Sequence, residues 1–343
     1  MANAEQAKKF VLDCMDVDEV AFMRGSPGVG KSAIVRAIAE ERNLLVRDIR
    51  LSQSDPTDLN GFPRITEEGK ATYAPMDTFP LETDDFPTKA DGSAYDGWLL
   101  FLDEFTSAPP SVQAAAYKVL HEKEVGMYKL HPSCAIVCAG NKESDNAVVY
   151  QQSTAIQSRV IHFELNTDPK KWDEWAVSAG VHHTVRDYVK YKPQMLNNFD
   201  PEHTDDTFAC ERTWEKVSKF MHLWGGQIPA SKVTLLSGTI GKGVANEFFQ
   251  FTKIYKDLPT LGQIAADPKG TRVPKEPGTL YAITGTIAAH VTVKEISPVV
   301  EYVSRFPLEF QVICLQEVIQ KDASMTADPA MKAWIKTNMK RLF

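Results

Sequence analysis

The 343-residue chain predicts an α/β fold. A parallel sheet covered by helices on both faces is expected first, then an all-helical C-terminal part. Three observations carry this. Continuous apolar runs alternate with segments of helical spacing through the first half. A glycine-rich loop joins one such run to the helix after it. Beyond residue 166 the strand-like runs stop, and helical patterns rich in aromatic and polar residues follow.

Residues 4–15 have helical spacing, and EVAFMRG (19–25) reads as a buried strand. Residues 31–42 form the next helical pattern and 44–51 a second strand. GWLLFL (97–102) is a third, wholly apolar strand. Pro109 and Pro110 open a helix running to about Glu124, because proline suits a first helical turn. Residues 135–139 and 160–165 supply the fourth and fifth strands.

Residues 55–96 interrupt this rhythm with Pro56, Pro63, Pro75, Pro80 and Pro87. They contain the alternating run FPRITEEGKATYAP, whose Glu67-Glu68-Gly69 marks a hairpin tip. This segment reads as an insertion between the second and third strands. The domain cut falls near 166–169, giving a core domain over 1–165 and a helical part over 166–343. Glycine and proline clusters make 225–240 and 257–278 read as loops between helices.

Acidic residues number 45 and basic residues 38, a formal net charge of −7, which disfavours a globally basic nucleic-acid binder. No apolar run approaches the ~18–20 residues that span a bilayer. The opening MANAEQAKKF lacks a signal-peptide core, so a cytoplasmic location is expected. Cys14, Cys134, Cys138, Cys210 and Cys314 form no CxxC pair, and an odd count predicts free thiols.

The strongest motif is Gly25-Ser26-Pro27-Gly28-Val29-Gly30-Lys31-Ser32, which fits G-x-x-x-x-G-K-[ST]. Its setting between strand and helix is the one the chemistry requires. Glycines let several N–H groups face one anion, and the helix N-terminus adds its positive end. Lys31 is placed to reach the β- and γ-phosphates, and Ser32 to ligate Mg²⁺. The second site is WLLFLDEF (98–105), where two acids follow an apolar strand. Ligands of open α/β sheets bind at that strand edge. Asp103 is placed to hold the Mg²⁺ shell, and Glu104 to polarise the attacking water.

GSPGVGKS followed by LDE resembles an AAA+ ATPase. The runs SDPTDLNGFPRITEEGKATYAP, LLFLDEFTSAPPSVQAAAYKVLHEKEVG and AIVCAGN narrow the resemblance to the MoxR-type group, including CbbQ/NorQ-like proteins of bacteria and phages. It covers about residues 10–165, and 205–220 more weakly. It implies a P-loop AAA+ parallel sheet flanked by helices, with an inserted β-hairpin region and an all-helical C-terminal lid. It also implies ATP and Mg²⁺ as ligands, and Asn141 as the sensor-1 residue that orients water. Arg159 would be an arginine finger reaching a neighbour's nucleotide. Members often read Asp-Arg-Phe there, whereas this chain reads Ser158-Arg159-Val160. Arg212 would be the sensor-2 arginine of the lid, acting in its own subunit or a neighbour's. The implied assembly is a homo-oligomer, a hexamer. Its implied partner is a protein client, often one with a von Willebrand A domain, and Phe62, Arg64 and Tyr73 of the insertion are candidates to touch it.

Other constellations carry less. Asp55, Asp58, Asn60 and Gly61 depart from calcium-loop spacing, and Thr66 stands where the final glutamate belongs. His182 and His183 are adjacent and do not share a helix face, which argues against a metal pair. Lys170-Lys171 and the tail 336–341 read as solvated faces, and Trp172, Trp175, Tyr188 and Tyr191 as core. Three rival functions stay open: a nucleic-acid motor or loader, an ATP-gated structural assembly, and a monomeric P-loop enzyme acting on a small molecule.

Overall fold

The computed structural model describes residues 1–145, 150, 152–254 and 258–338. The chain divides into two compact units. The first comprises Met1–Lys171 with Phe199–Thr204, and the second Trp172–Asn198 with Asp205 onward.

The first unit begins with α1 (Ala4–Asp16), β1 (Ala21–Arg24), α2 (Lys31–Glu41) and β2 (Leu44–Arg50). Next come α3 (Pro56–Asn60), the hairpin β3 (Phe62–Ile65) and β4 (Ala71–Ala74), then β5 (Gly97–Asp103) and α4 (Pro110–His121). A small hairpin of β6 (Glu124–Val125) and β7 (Tyr128–Lys129) precedes β8 (Cys134–Gly140), α5 (Thr154–Gln157) and β9 (Ile161–Glu164). The five main strands form one parallel sheet in the order β2-β5-β8-β1-β9.

Period-two alternation distributes the apolar side chains between the two faces. Leu99, Phe101, Met23 and Val137 share one cluster with Val11 of α1 and Ile38 of α2. Leu100, Leu102, Phe22 and Ile136 share the other with Val112 and Val119 of α4. Every residue of β5 from Gly97 to Leu102 is buried. Each such Leu or Phe contributes roughly 1.5–3 kcal/mol relative to exposure. A strand covered on both faces needs this continuous apolar run, and it delivers Asp103 and Glu104 to the sheet's C-terminal edge.

Local signals set the boundaries. Asn3 caps α1, accepting from the Gln6 amide while the Gln6 side chain accepts from Asn3 N. Asp55 and Asp58 form the same reciprocal cap on α3, which accounts for those acids without calcium. The hairpin tip falls at Glu67–Gly69, where Gly69 adopts a φ of 77°. Helix α4 stops at His121 rather than near Glu124, because Glu124 and Val125 pair with β7 and Val125 is buried in the core.

The second unit is helical: α6 (Pro169–Ser178, whose first residues belong to the first unit), α7 (His183–Tyr191), α8 (Glu211–Leu223), α9 (Val233–Ile240) and α10 (Lys242–Ile254). They are followed by α11 (Leu261–Ala266), α12 (Pro277–His290), α13 (Ile296–Val303), α14 (Leu308–Lys321) and α15 (Pro329–Asn338). Two expected loops therefore contain helices. Buried Leu236 and Ile240 hold α9 despite Gly238. Thr260 and Gln263 cap α11 reciprocally; Asp257 of that stretch lies outside the described residues. Trp172 and Tyr188 are core, as expected, but Trp175 is 41% exposed. Tyr191 is 37% exposed and stacks on Phe251. A pair spaced i,i+3 is wider than the buried seam, so one member of each lies at its edge. Asp173, Arg186, Lys190 and Glu317 form an ion network joining α6, α7 and α14, with Arg186 Nε 2.8 Å from Asp173. Lys171 pairs with Glu5 at 3.1 Å rather than standing free in solvent. Of the basic tail, Lys340 and Arg341 lie outside the described residues.

Four histidine rings meet within this unit. His182 stacks on His183 and meets His222 edge-on, and His183 meets His290 edge-on. Burial, then the neighbouring histidines, pushes His182 down to about 4 and His183 to about 3. The unfolded chain therefore binds more protons between pH 6.5 and these values. The stability of the neutral cluster is complete above pH 6.5 and is lost as pH falls through the folded values. Urea midpoints of the second unit should be flat from pH 8 to 7 and fall between pH 6.5 and 4. NMR titration should find His182 still neutral at pH 5.5; a protonated ring there would refute the assignment.

All five cysteines are buried free thiols. Burial raises Cys134 to about 12, against the weaker opposing effects of a Leu100 hydrogen bond and Lys123. No described helix is long and apolar enough to cross a membrane.

Candidate nucleotide-binding site

The loop 25–30 leaves β1 at the C-terminal edge of the sheet and turns directly into α2. Gly28 and Gly30 adopt φ of 82° and 92°, conformations that L side chains resist. Backbone of this kind can turn successive N–H groups toward one anion, and the N-terminus of α2 follows directly. The loop is anchored from behind by Gly25 N, which donates to Gly140 O at 3.1 Å.

Lys31 lies across the loop. Its Nζ donates to Gly25 O at 2.5 Å, Ser26 O at 3.3 Å and Asn141 Oδ1 at 3.1 Å. Ser32 Oγ donates to Asp103 Oδ2 at 3.4 Å. The other Asp103 oxygen accepts from Glu104 N at 2.8 Å. Burial raises the Asp103 pKa, opposed by that amide and by the Lys31 charge. A half-buried carboxylate beside one hydroxyl is the donor set of a hard cation that takes few protein ligands, so Ser32 and Asp103 fit Mg²⁺.

Glu104 occupies the left-handed region at φ 56° although it is not glycine. Such backbone costs on the order of 1–2 kcal/mol and clusters at functional sites. Its carboxylate accepts a hydrogen bond from Ser52, just past the end of β2. Strand order explains the meeting, since β2 pairs directly with β5 and Arg50 stands opposite Asp103.

The structure thus brings Lys31, Ser32, Asp103, Glu104 and Asn141 to one edge. It does not bring in Arg159. Arg159 follows α5, donates to Ala155 O at 2.9 Å, and places its guanidinium 4.9 Å from the centre of the Tyr117 ring. Arg212 is an exposed residue of α8 in the second unit.

Ser52 and Asp145 are site residues that sequence reasoning missed. Asp145 is 6% exposed; it accepts from Ser26 Oγ at 3.2 Å and Lys142 N at 3.1 Å. Neither belongs to a spaced motif, and Ser52 meets Glu104, as Asp145 meets Ser26, only through the sheet.

Residues 21–136 match the family model of the AAA domain, dynein-related subfamily. That span starts at the first residue of β1, contains the loop and both acids, and ends within β8 before Asn141. The match supports an AAA+ ATPase domain in the first unit. The chain is also similar to a solved structure from Cytophaga hutchinsonii described as a candidate ATPase. Identity is 13% over 99% of this chain and 89% of that one, with a TM-score of 0.36. No curated protein matches the chain significantly.

Proposed function

We propose that this chain is a Mg²⁺-dependent, MoxR-like AAA+ ATPase that assembles into a homohexameric ring and remodels a protein client. The observation that carries the reading is the convergence of Lys31, Asn141, Ser32, Asp103 and Glu104 on one edge of the sheet.

Gly25–Gly30 and Lys31 bind the phosphates of ATP. Ser32 and Asp103 hold Mg²⁺, which when bound neutralises charge on the phosphate oxygens. Glu104 accepts the proton of the attacking water. Ser52 holds the same carboxylate, so the base acts when that hydrogen bond is exchanged for one from water. Asn141 orients the water without adding charge. Arg159 stabilises developing charge on a neighbour's nucleotide after leaving Tyr117 and the Ala155 carbonyl. Residues 166–343 act as the lid and its extension, with Arg212 as the sensor. The insertion at 55–96 touches the client, a cytoplasmic partner of the von Willebrand A type. Phe62, Ile65 and Tyr73 support that role, since all three are exposed on the β3–β4 hairpin.

A contribution from a neighbour requires an assembly. Native mass measured on Glu104→Gln should move from 38.2 kDa without nucleotide to about six times that with Mg·ATP. A persistent monomer would remove Arg159 from the mechanism and the ring with it.

A further inference from the structure

Thr106 is 2% exposed and follows Glu104 by two residues. Its hydroxyl makes two bonds to the backbone of one residue. Oγ1 accepts from Asn141 N at 2.9 Å and donates to Asn141 O at 3.3 Å. Its own carbonyl accepts from Tyr150 N at 2.8 Å. Gly140 makes the approach possible, since a Cβ there would stand 2.7 Å from both Thr106 Cγ2 and Oγ1. Asn141 in turn accepts from Lys31. One hydroxyl therefore links the turn that carries Glu104 to the strand end that carries the amide touching Lys31.

We propose that Thr106 is a positioning residue for hydrolysis: its hydroxyl sets where the Asn141 amide stands relative to Lys31 and Glu104. The inference rests on the ATPase reading above. Valine has the shape of threonine without the hydroxyl, and it leaves the Asn141 N–H and C=O without their partner. The amide then loses its register while the phosphate loop, built on β1 and α2, keeps its own. Misplacing a reacting group by about 1 Å costs up to a hundredfold in rate.

The test is steady-state ATP turnover together with Mg·ATP affinity for Thr106→Val, Thr106→Ser and Glu104→Gln. Thr106→Val should lower kcat about ten- to a hundredfold, with affinity inside about twofold of the natural chain. Thr106→Ser should restore turnover. In an Asn141→Ala background Thr106→Val should have no further effect, because the amide it positions is gone. If valine prevents folding, Thr106→Ala removes the hydroxyl without filling the space against Gly140. Full turnover in Thr106→Val beside an inactive Glu104→Gln overturns this inference alone. So does an undiminished further loss in the Asn141→Ala background, which would assign Thr106 a general packing role. A fully active Glu104→Gln overturns the site reading and this inference with it.

Discussion

Lys31→Ala is expected to lower ATP affinity at least a hundredfold, with little change in the unfolding midpoint. Lys31 is partly exposed, and its bonds to Gly25 O, Ser26 O and Asn141 Oδ1 hold the ammonium across the loop. On nucleotide binding these neutral acceptors give way to phosphate oxygens. Charge-assisted hydrogen bonds are worth roughly 1.5–3 kcal/mol each, so two of them amount to about 3–6 kcal/mol. Roughly 1.4 kcal/mol is tenfold in affinity, so even the low end predicts about two decades. The loop's shape does not depend on the lysine: it is set by Gly28, Gly30 and the Gly25–Gly140 bond. Calorimetric titration with Mg·ATP beside a thermal melt separates the two effects. Unchanged affinity would refute the assignment of the loop as a phosphate cradle.

The sheet was legible because each of its strands is a local pattern. GWLLFLD reads as buried on both faces whatever its neighbours are, and the observed strand extends the expected one by a single residue. The loop was legible because its glycines, lysine and serine are consecutive. Ser52 and Glu104 are 52 residues apart, and Ser26 and Asp145 are 119 apart. Nothing in their local spacing marks them. They meet because β2 pairs with β5 and because β8 lies beside β1, an order that no periodicity encodes. Chain punctuation misled in the second unit. Glycine-containing VTLLSGTI reads as a loop, yet two buried side chains suffice to hold it helical. The position of Arg159 before the last strand was readable, but its contact with Tyr117 was not, since ring and guanidinium come from separate elements.

Glu104→Gln tests which of the two adjacent acids handles the proton. Both oxygens of Asp103 are engaged, one by Glu104 N and one by Ser32 Oγ, which leaves it a ligand rather than a base. Glu104 stands one residue further, on left-handed backbone that turns its side chain away from the strand direction and onto Ser52. A base must exchange partners during turnover, and one hydroxyl is a weak enough restraint to allow it. Glutamine keeps the size of the side chain and still accepts from Ser52, but it cannot take a proton. Neither the phosphate loop nor the Ser32–Asp103 pair is altered. Mg·ATP affinity should therefore stay within about threefold, while single-turnover hydrolysis falls about 10²–10⁴-fold, the contribution of a positioned general base. If affinity falls in proportion to rate, Glu104 is holding the metal and the two acids exchange roles. If turnover is near normal, the proton leaves by another route, and the strained backbone at Glu104 serves the turn into Phe105–Ser107 rather than the chemistry.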